Sequence, residues 1–144
     1  MKYHICNVNE GEQDALAELR IAAMKPSLEA VGRFDPERAR ARFLDTFDRD
    51  ATRKIEVDGV LAGFYVVKDN GDHLYLDHMY IRPELQGNGL GSLILKRIMA
   101  EAKERGLPLR LGALRGSRSN QFYKSHGFVQ THEAEWDIYY EHSQ

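Results

Sequence analysis

The sequence predicts a mixed α/β fold, with a central mixed, mostly antiparallel sheet of six to seven strands flanked by about four helices. Three observations lead to this class. Apolar residues alternate with period two through residues 52–81, where turn dipeptides separate three strands. Helical spacing of apolar residues occurs on both sides of that region. A helix between two strand patterns then gives one β-α-β crossover, which makes the sheet mixed.

The N-terminal part of the chain predicts one strand and two helices. A short strand lies near Tyr3 to Asn7, and Gln13 to Met24 has apolar residues at spacings of three and four. We expect Pro26 to end this helix, because proline lacks the amide hydrogen that a helix interior needs. Lys25 to Phe34 is expected to form a loop or a short helix. Asp35-Pro36-Glu37 is typical of a helix start. The side chains expected to be buried in this second helix are Ala39, Phe43 and Phe47.

Three antiparallel strands are predicted next. Lys54 to Val57 and Val60 to Lys68 are joined by Asp58-Gly59, a dipeptide that favours hairpin turns with positive φ. Asn70-Gly71 makes the following turn, and His73 to Ile81 completes the meander. Alternation along this last strand places Leu74, Leu76, His78 and Tyr80 on one face and Tyr75, Asp77, Met79 and Ile81 on the other.

The remaining elements complete the predicted sheet. A helix is expected from Leu90 to Gly106, a strand from Leu109 to Leu114 and a short helix from Ser117 to Ser125. Strands at Phe128 to Thr131 and Glu135 to Tyr140 follow. We expect residues 1–144 to form one domain, because 144 residues is close to the usual size of a single domain.

Charge and composition narrow the function classes. Lys and Arg number 20 against 22 Asp and Glu, without a run of like charge, so we expect no nucleic-acid or membrane partner. The apolar stretch Val60 to Val67 is far shorter than the ~20 residues that a membrane helix needs. The six histidines form no His-x-His pattern and Cys6 has no second thiol, so we expect no metal and a reducing, cytoplasmic location.

A glycine-rich turn stands between the last strand of the meander and the following helix. Its sequence is Gln86-Gly87-Asn88-Gly89-Leu90-Gly91-Ser92. Glycines at a helix start allow successive amide N–H groups to bind a phosphate; the alternative is a tight turn with no ligand. Ser92 stands where a dinucleotide-binding motif needs Gly or Ala, and no lysine follows Gly91 directly as in a P-loop.

The segment Gln86-Gly87-Asn88-Gly89-Leu90-Gly91 resembles motif A of the GNAT superfamily of acetyl-CoA-dependent acyltransferases. Phe122-Tyr123-x-x-x-Gly127-Phe128 resembles a second motif that follows it in that family. The resemblance covers most of the chain and implies a GNAT-like fold. There is one departure: Gly116 stands where the family often has Asn, seven residues before the tyrosine, whereas Asn120 lies three before it.

The resemblance implies that the turn amides hold the pyrophosphate of coenzyme A, and that the main chain of residues 79–81 lies along its pantetheine arm. The residues that would bind the acetyl-CoA donor are Met79, Tyr80, Ile81, Gln86, Gly87, Asn88, Gly89, Leu90, Gly91, Ser92, Asn120 and Tyr123. Arg82, Arg115, Arg118 and Lys124 are alternative partners for the adenosine 3′-phosphate.

Acyl transfer to an amine needs a base and an acid. At pH 7 an amine of pKa ~10.4 is neutral in only about one molecule in 2,500. Asp77 is in register with positions where some family members keep a base, and it would act directly or through water; the alternative is a carboxylate that holds a loop or a basic side chain. His78 is a second candidate for the base, but it points to the opposite face of the strand.

The resemblance makes Tyr123 the proton donor to the departing thiolate. The alternative is that Tyr123 is a core aromatic residue beside Phe122 and Phe128.

The resulting hypothesis is an N-acetyltransferase that moves the acetyl group of acetyl-CoA to a primary amine of a small molecule or a peptide. The amine would attack directly in a ternary complex, since Cys6 is remote from both motifs. A monomer or a homodimer is expected. The alternative is a catalytically silent acyl-CoA-binding regulatory or interaction module. The resemblance also implies that the acceptor cleft is bordered by segments containing Arg33, Phe34, Trp136 and Tyr139; the alternative is that most of these side chains serve only packing.

Overall fold

The structure is a computed structural model that describes residues 2–143. That part of the chain contains seven strands and four α-helices. In chain order they are β1 (Tyr3–Asn7), α1 (Gln13–Ala30), α2 (Pro36–Asp45), β2 (Thr52–Val57), β3 (Val60–Asp69), β4 (Leu74–Ile81), α3 (Leu90–Glu104), β5 (Leu109–Leu114), α4 (Ser119–Ser125), β6 (Val129–Glu133) and β7 (Asp137–His142). Single turns of 3₁₀ helix lie at Arg49–Ala51 and Pro83–Leu85.

The seven strands form one sheet in the order β1-β2-β3-β4-β5-β7-β6. β4 and β5 pair in parallel, because α3 carries the chain over the sheet between them. The pairs β1–β2, β2–β3, β5–β7 and β6–β7 are antiparallel. The predicted mixed α/β class, with a mostly antiparallel sheet and four helices, is therefore confirmed.

Two compact units can be distinguished within the chain. The first comprises Met1–Val66 and His78–Ser92, and the second comprises Val67–Asp77 and Leu93–Gln144. The expectation of a single domain over residues 1–144 stays a prediction.

The core of the first unit lies under its two helices. Apolar side chains of α1, α2, β3 and the residue after β1 form one buried cluster: Val8, Leu16, Ala17, Leu19, Phe43, Phe64 and Val66. The rings of Phe43 and Phe64 meet edge to face, with centroids 5.3 Å apart. Asp35 caps α2 by accepting a hydrogen bond from the Arg38 N–H at 3.1 Å, as its Asp-Pro-Glu start predicts.

The second unit buries leucines of β4 and β5 together with three aromatic side chains. The leucines are Leu74, Leu76, Leu109 and Leu111. The ring of Tyr123 packs against those of Phe128 and Tyr140, with centroids 5.7 and 6.5 Å away. On β4, Tyr75 and Asp77 are only half-buried while Leu74 and Leu76 are buried, so the predicted alternation is confirmed for this part of the strand.

The prediction that Pro26 ends the first helix is wrong. α1 continues through Pro26 to Ala30. Ala22, whose carbonyl would have accepted the missing hydrogen bond, is exposed like Pro26 itself, so water can hydrate that carbonyl. The helix ends instead where the N–H of Arg33 bonds the carbonyl of Leu28 at 2.8 Å and Gly32 adopts φ +70°. This is the Schellman arrangement, which satisfies the last carbonyls of a helix.

The last two strands are displaced from their predicted positions. They lie at Val129–Glu133 and Asp137–His142, instead of 128–131 and 135–140. The turn that joins them is closed by a hydrogen bond of 2.8 Å from the Ala134 N–H to the Asp137 carbonyl. Apolar residues are sparse in β6, where all five side chains are exposed, so alternation could not fix the register there.

The first hairpin is confirmed. Asp58 and Gly59 have φ of 54° and 76°, as a two-residue turn of this kind requires. None of the helices that the structure describes is both long and apolar enough to cross a membrane.

Candidate active site

The glycine turn lies at the start of α3 in the first unit. Gly87 and Gly89 adopt φ of 84° and 88°, which only glycine occupies without strain, so the predicted positive-φ conformation of these two glycines is confirmed, and their binding of a phosphate stays a prediction. Gly91 is the second residue of α3 and is not among the positive-φ glycines. Every residue from Gln86 to Gly89 is exposed, whereas Leu90 is buried and fixes the helix start.

The main chain of this turn suits an anion. The structure shows no acceptor within residues 2–143 for the N–H groups of Gly87, Gly89 and Gly91. Asn88 Oδ1 accepts the N–H of Leu90 at 3.4 Å, a long bond that a stronger acceptor can replace. No other atom lies within 4 Å of an added Cβ at Gly87 or Gly89, so the backbone is open to a ligand.

The end of β4 is fixed by close backbone packing in the first unit. A Cβ added to Gly63 on β3 would lie 2.3 Å from the carbonyl oxygen of Tyr80. The Gln86 side chain donates to the Ile81 carbonyl at 3.0 Å and so ties the turn to the strand end. The residue pairs of β4 with β5 end at Leu76 and Leu111, so Met79, Tyr80 and Ile81 follow the paired stretch.

A polar network around Tyr80 was not foreseen from the sequence. Arg20 of α1 is buried, and its Nη1 donates to the Ala39 carbonyl at 2.7 Å. Its Nε donates to Tyr80 Oη at 3.4 Å, and His78 Nδ1 lies 3.2 Å from the same oxygen. Tyr80 Oη therefore accepts a hydrogen bond from Arg20 and also lies within hydrogen-bond distance of the His78 imidazole. An arginine within an apolar helix pattern was the signal for this network.

Asp77 lies in the second unit beside a cation. Its Oδ2 is 3.3 Å from Lys68 Nζ, and both side chains are about one third exposed, at 30% and 37%. This contact is the basic partner that the alternative interpretation of Asp77 expected. Solvent still reaches the carboxylate, so the role of a base acting directly or through water stays a prediction.

Tyr123 is held in a buried aromatic cluster by α4. It is 8% exposed and lies beside Phe122, Phe128 and Tyr140. Phe128 is buried and Phe122 is half-buried, in accord with their expected packing role. Asn120 donates to the Leu114 carbonyl at 2.8 Å and accepts the hydroxyl of Tyr140 at 2.8 Å. The Asn120 amide therefore fastens α4 to two strands, and its expected contact with the donor stays a prediction.

Comparison with known proteins identifies the family. A sequence profile described as the acetyltransferase (GNAT) family matches residues 16–128. This chain belongs to the GNAT family. The resemblance predicted from the two motifs is confirmed, and the match includes the glycine turn and Tyr123.

This GNAT chain is similar to one curated relative in sequence and to solved structures in fold. A bovine thialysine N-epsilon-acetyltransferase is 37% identical over 67 residues, and the match covers 45% of this chain and 39% of that protein. The structure of PaiA N-acetyltransferase from Thermoplasma acidophilum, solved with coenzyme A, has a TM-score of 0.83 at 17% identity over all of both chains. A GCN5-related N-acetyltransferase from Rhodopseudomonas palustris has a TM-score of 0.81 at 18% identity, covering 100% of this chain and 97% of its own.

The four basic side chains predicted as alternative partners for an adenosine 3′-phosphate differ in their contacts. Arg82 Nε donates to the Leu61 carbonyl, and Arg115 bonds the Glu133 carboxylate and the Ala134 carbonyl at 2.9 and 2.8 Å. Arg118 and Lys124 are exposed and make no ion pair within residues 2–143. Which of the four would contact the 3′-phosphate stays a prediction.

Two further features lie outside the predicted residues. An open surface cavity of about 490 Å³ in the first unit is lined by residues 7–10, 49, 50 and 53. None of the predicted site residues lines it. No group of three His, Cys, Asp or Glu side chains suited to a metal ion occurs in the part of the chain that the structure describes. The absence of a metal stays a prediction.

Proposed function

We propose that this chain transfers the acetyl group of acetyl-CoA to a primary amine of a small molecule or a peptide. The observation that carries the proposal is the exposed turn before α3, where Gly87 and Gly89 leave amide N–H groups without acceptors. Transfer to nitrogen is supported by the names of its relatives, which include a thialysine N-epsilon-acetyltransferase and an N-acetyltransferase solved with coenzyme A.

The turn would hold the donor through its main chain. The N–H groups of Gly87 to Ser92 stand at the positive end of a helix, where a pyrophosphate is favoured. The main chain of Met79 to Ile81 would lie along the pantetheine arm. Because these are backbone contacts, most side-chain substitutions there would change donor binding little.

The amine would be deprotonated before it attacks. Its nitrogen then forms a bond to the acetyl carbonyl carbon, and the proton it loses passes to Asp77, directly or through water. Lys68, 3.3 Å from Asp77, keeps the carboxylate oriented. His78 is less suited, because its Nδ1 lies against the Tyr80 hydroxyl.

The carbon–sulfur bond breaks as the thiolate of coenzyme A leaves. Tyr123 would donate a hydrogen bond or a proton to that sulfur. Donation from a phenol of ordinary pKa 10 to a thiolate whose parent thiol has pKa 8.5 is unfavourable by about 2 kcal/mol. The donation is therefore most effective in the transition state, while charge develops on sulfur.

An acetyl-cysteine intermediate is not part of the proposal. The Cys6 Sγ lies 3.6 Å from Glu56 Oε1, and burial, followed by the charge of Glu56, raises the pKa of this thiol. A thiol that stays protonated is a poor nucleophile. Direct attack in a ternary complex remains the simplest route.

Calorimetric titration of the cofactor-free protein with acetyl-CoA tests the donor assignment, with NADH and ATP as controls. Gly89→Ala should weaken acetyl-CoA binding about tenfold or more, because a Cβ would stand where the phosphate approaches. Gly71→Ala is a matched control, since Gly71 also has φ of 88° and open space around it but lies in a hairpin.

No acetyl-CoA binding by the unchanged protein, or equal effects of the two variants on that binding, would contradict the proposal. Binding without turnover of any amine in a broad panel would instead favour a silent acyl-CoA-binding module.

A further inference from the structure

A layer of aromatic side chains crosses the second unit on the face of the sheet that carries Asp77. Tyr75 lies on β4, Gly112 on β5, Tyr139 on β7 and His132 on β6. Gly112 pairs with Tyr139, and Tyr139 pairs with His132, so the four residues cross neighbouring strands. We refer to the side chains of Tyr75, Tyr139 and His132 as the aromatic shelf.

Gly112 makes room for the shelf. A Cβ at this position would lie 2.9 Å from Tyr139 Cε1 and 3.3 Å from Tyr75 Oη, so the ring and the hydroxyl both lie over the glycine. The rings of Tyr139 and His132 are stacked, with centroids 4.5 Å apart and planes 9° from parallel. Tyr75 and Tyr139 are half-buried while Gly112 and His132 are exposed, so the shelf is held in place yet open to solvent.

The charges beside the shelf leave one carboxylate without a partner. Two cations of this face are paired: Lys68 with Asp77 at 3.3 Å, and Arg110 with Glu141 at 2.7 Å. Asp137 is half-buried and shares the face of Tyr139 by alternation along β7. Within residues 2–143 it forms no ion pair. A half-buried carboxylate next to aromatic rings favours a cationic ligand.

The hydroxyl of Tyr75 also lacks a hydrogen-bond partner among the described residues. Burial, followed by the nearby Tyr139, Asp77 and Asp137, raises the pKa of Tyr75 to about 12. The phenol therefore stays neutral in the physiological range, and its oxygen can accept a hydrogen bond from an ammonium. The groups that act on the Tyr75 hydroxyl are the Tyr139 ring and the carboxylates of Asp77 and Asp137, and of these carboxylates Asp77 is paired with Lys68.

We propose that the aromatic shelf and Asp137 bind a positively charged group of the acetyl acceptor, so that the substrate is a diamine or another amine with a second cationic group. This inference rests on the proposed function, because it concerns the acceptor of that reaction. One ammonium contacts the rings and the Asp137 carboxylate, while a second amine of the same molecule is the one acetylated. A neutral monoamine would lack the first contact.

Direct binding tests the shelf without requiring acetyl transfer. The ¹⁵N-labelled full chain is titrated with 1,5-diaminopentane, and with 1,5-pentanediol as the uncharged equivalent. The diamine should shift the amide signals of residues 75, 112, 137 and 139, and the diol should not. Asp137→Asn should weaken diamine binding about tenfold, and added salt should weaken it further. Glu135→Gln is the matched control, because it removes an exposed carboxylate from the same hairpin.

The outcomes separate this inference from the proposed function. Equal binding of the diamine by Asp137→Asn and the unchanged protein overturns the inference, as do shifts confined to other residues or equal shifts with the diol. Unfolding curves of both variants establish that they are folded. If acetyl transfer is observed, Asp137→Asn should raise the KM for 1,5-diaminopentane and leave the KM for acetyl-CoA unchanged. If the protein binds the diamine but transfers no acetyl group, the proposed function fails and the cation site stands.

Discussion

A methyl group added at Gly63 or at Gly112 would come too close to a neighbouring atom, but the two neighbours differ in kind. At Gly63 the nearest atom to an added Cβ is a backbone oxygen, Tyr80 O, at 2.3 Å. At Gly112 it is a ring carbon of Tyr139 at 2.9 Å, which a side-chain rotation can move. The first contact therefore fixes the position of a strand, and the second fixes only a side chain.

Replacing each glycine with alanine separates these two roles. Gly63→Ala is expected to lower the free energy of unfolding by about 3 kcal/mol, because a backbone carbonyl must move. Gly112→Ala should cost about 1 kcal/mol and should mainly weaken diamine binding, since the Tyr139 ring can shift. Urea unfolding of both variants measures the difference. A smaller loss for Gly63→Ala than for Gly112→Ala would show that the strand end is not constrained in this way.

Tyr123→Phe tests the proposed acid. The ring is buried beside Phe128 and Tyr140, so removing only the hydroxyl should preserve the packing. We expect kcat to fall about a hundredfold, as for the loss of a general acid, while acetyl-CoA affinity stays unchanged. Steady-state kinetics and calorimetry measure the two quantities. An unchanged kcat would leave Tyr123 as a core residue only.

Helix α1 shows that one unfavourable residue does not end a helix. Its first half buries Leu16, Ala17 and Leu19, and its second half passes through Pro26 at an exposed position. Burial of the apolar face stabilises the element, and the closing hydrogen bonds around Gly32 determine its end.

Two substitutions in α1 should therefore have opposite effects on stability. Pro26→Ala restores an amide hydrogen and should raise the free energy of unfolding by about 1 to 3 kcal/mol. Gly32→Ala places a side chain at φ +70° and should lower it by about 1 kcal/mol. Thermal and urea unfolding test both. If Pro26→Ala destabilises the protein, the helix does not continue through that position.

An ion pair of the first unit makes the stability of the molecule depend on pH. Lys54 Nζ lies 3.0 Å from Glu12 Oε2 and 3.5 Å from Glu56 Oε2. A hydrogen bond from the Asn9 N–H, together with Lys54, lowers the pKa of Glu12 below 4.5. The hydrogen bond to Glu12 raises the pKa of Lys54 above 10.5.

The pair should contribute most between about pH 4.5 and pH 10.5. A lowered carboxyl pKa gives stability that is present above 4.5 and lost as the pH falls through the folded-state value; a raised lysine pKa gives stability that is lost at high pH. Glu12→Gln should therefore be less stable than the unchanged protein at pH 7, with the difference disappearing in acid. Unfolding across pH measures this, with the exposed Glu84→Gln as control. A difference that persists at pH 2 would argue against the pair.

Local patterns determined most of the elements and the family of this chain. Turn dipeptides, the Asp-Pro-Glu start of α2 and the helical leucine spacing act over a few residues, so they can be recognised without the fold. The glycine turn and Tyr123 were found for the same reason, since each belongs to a short contiguous motif. The end of α1 was mispredicted because the helix is ended by the capping hydrogen bonds around Gly32 and not by Pro26. The register of β6 and β7 was mispredicted because apolar residues are sparse in β6.

Tertiary structure decided the contacts between residues far apart in the chain. Arg20 meets Tyr80, Asp77 meets Lys68, and Gly112 lies under Tyr139 only after the strands have paired. Sequence spacing carries no information on such pairs, because burial and charge compensation depend on which strands become neighbours. The sequence by itself therefore determined the glycine turn and the family, whereas the surroundings of the candidate base and the aromatic shelf were decided by strand pairing.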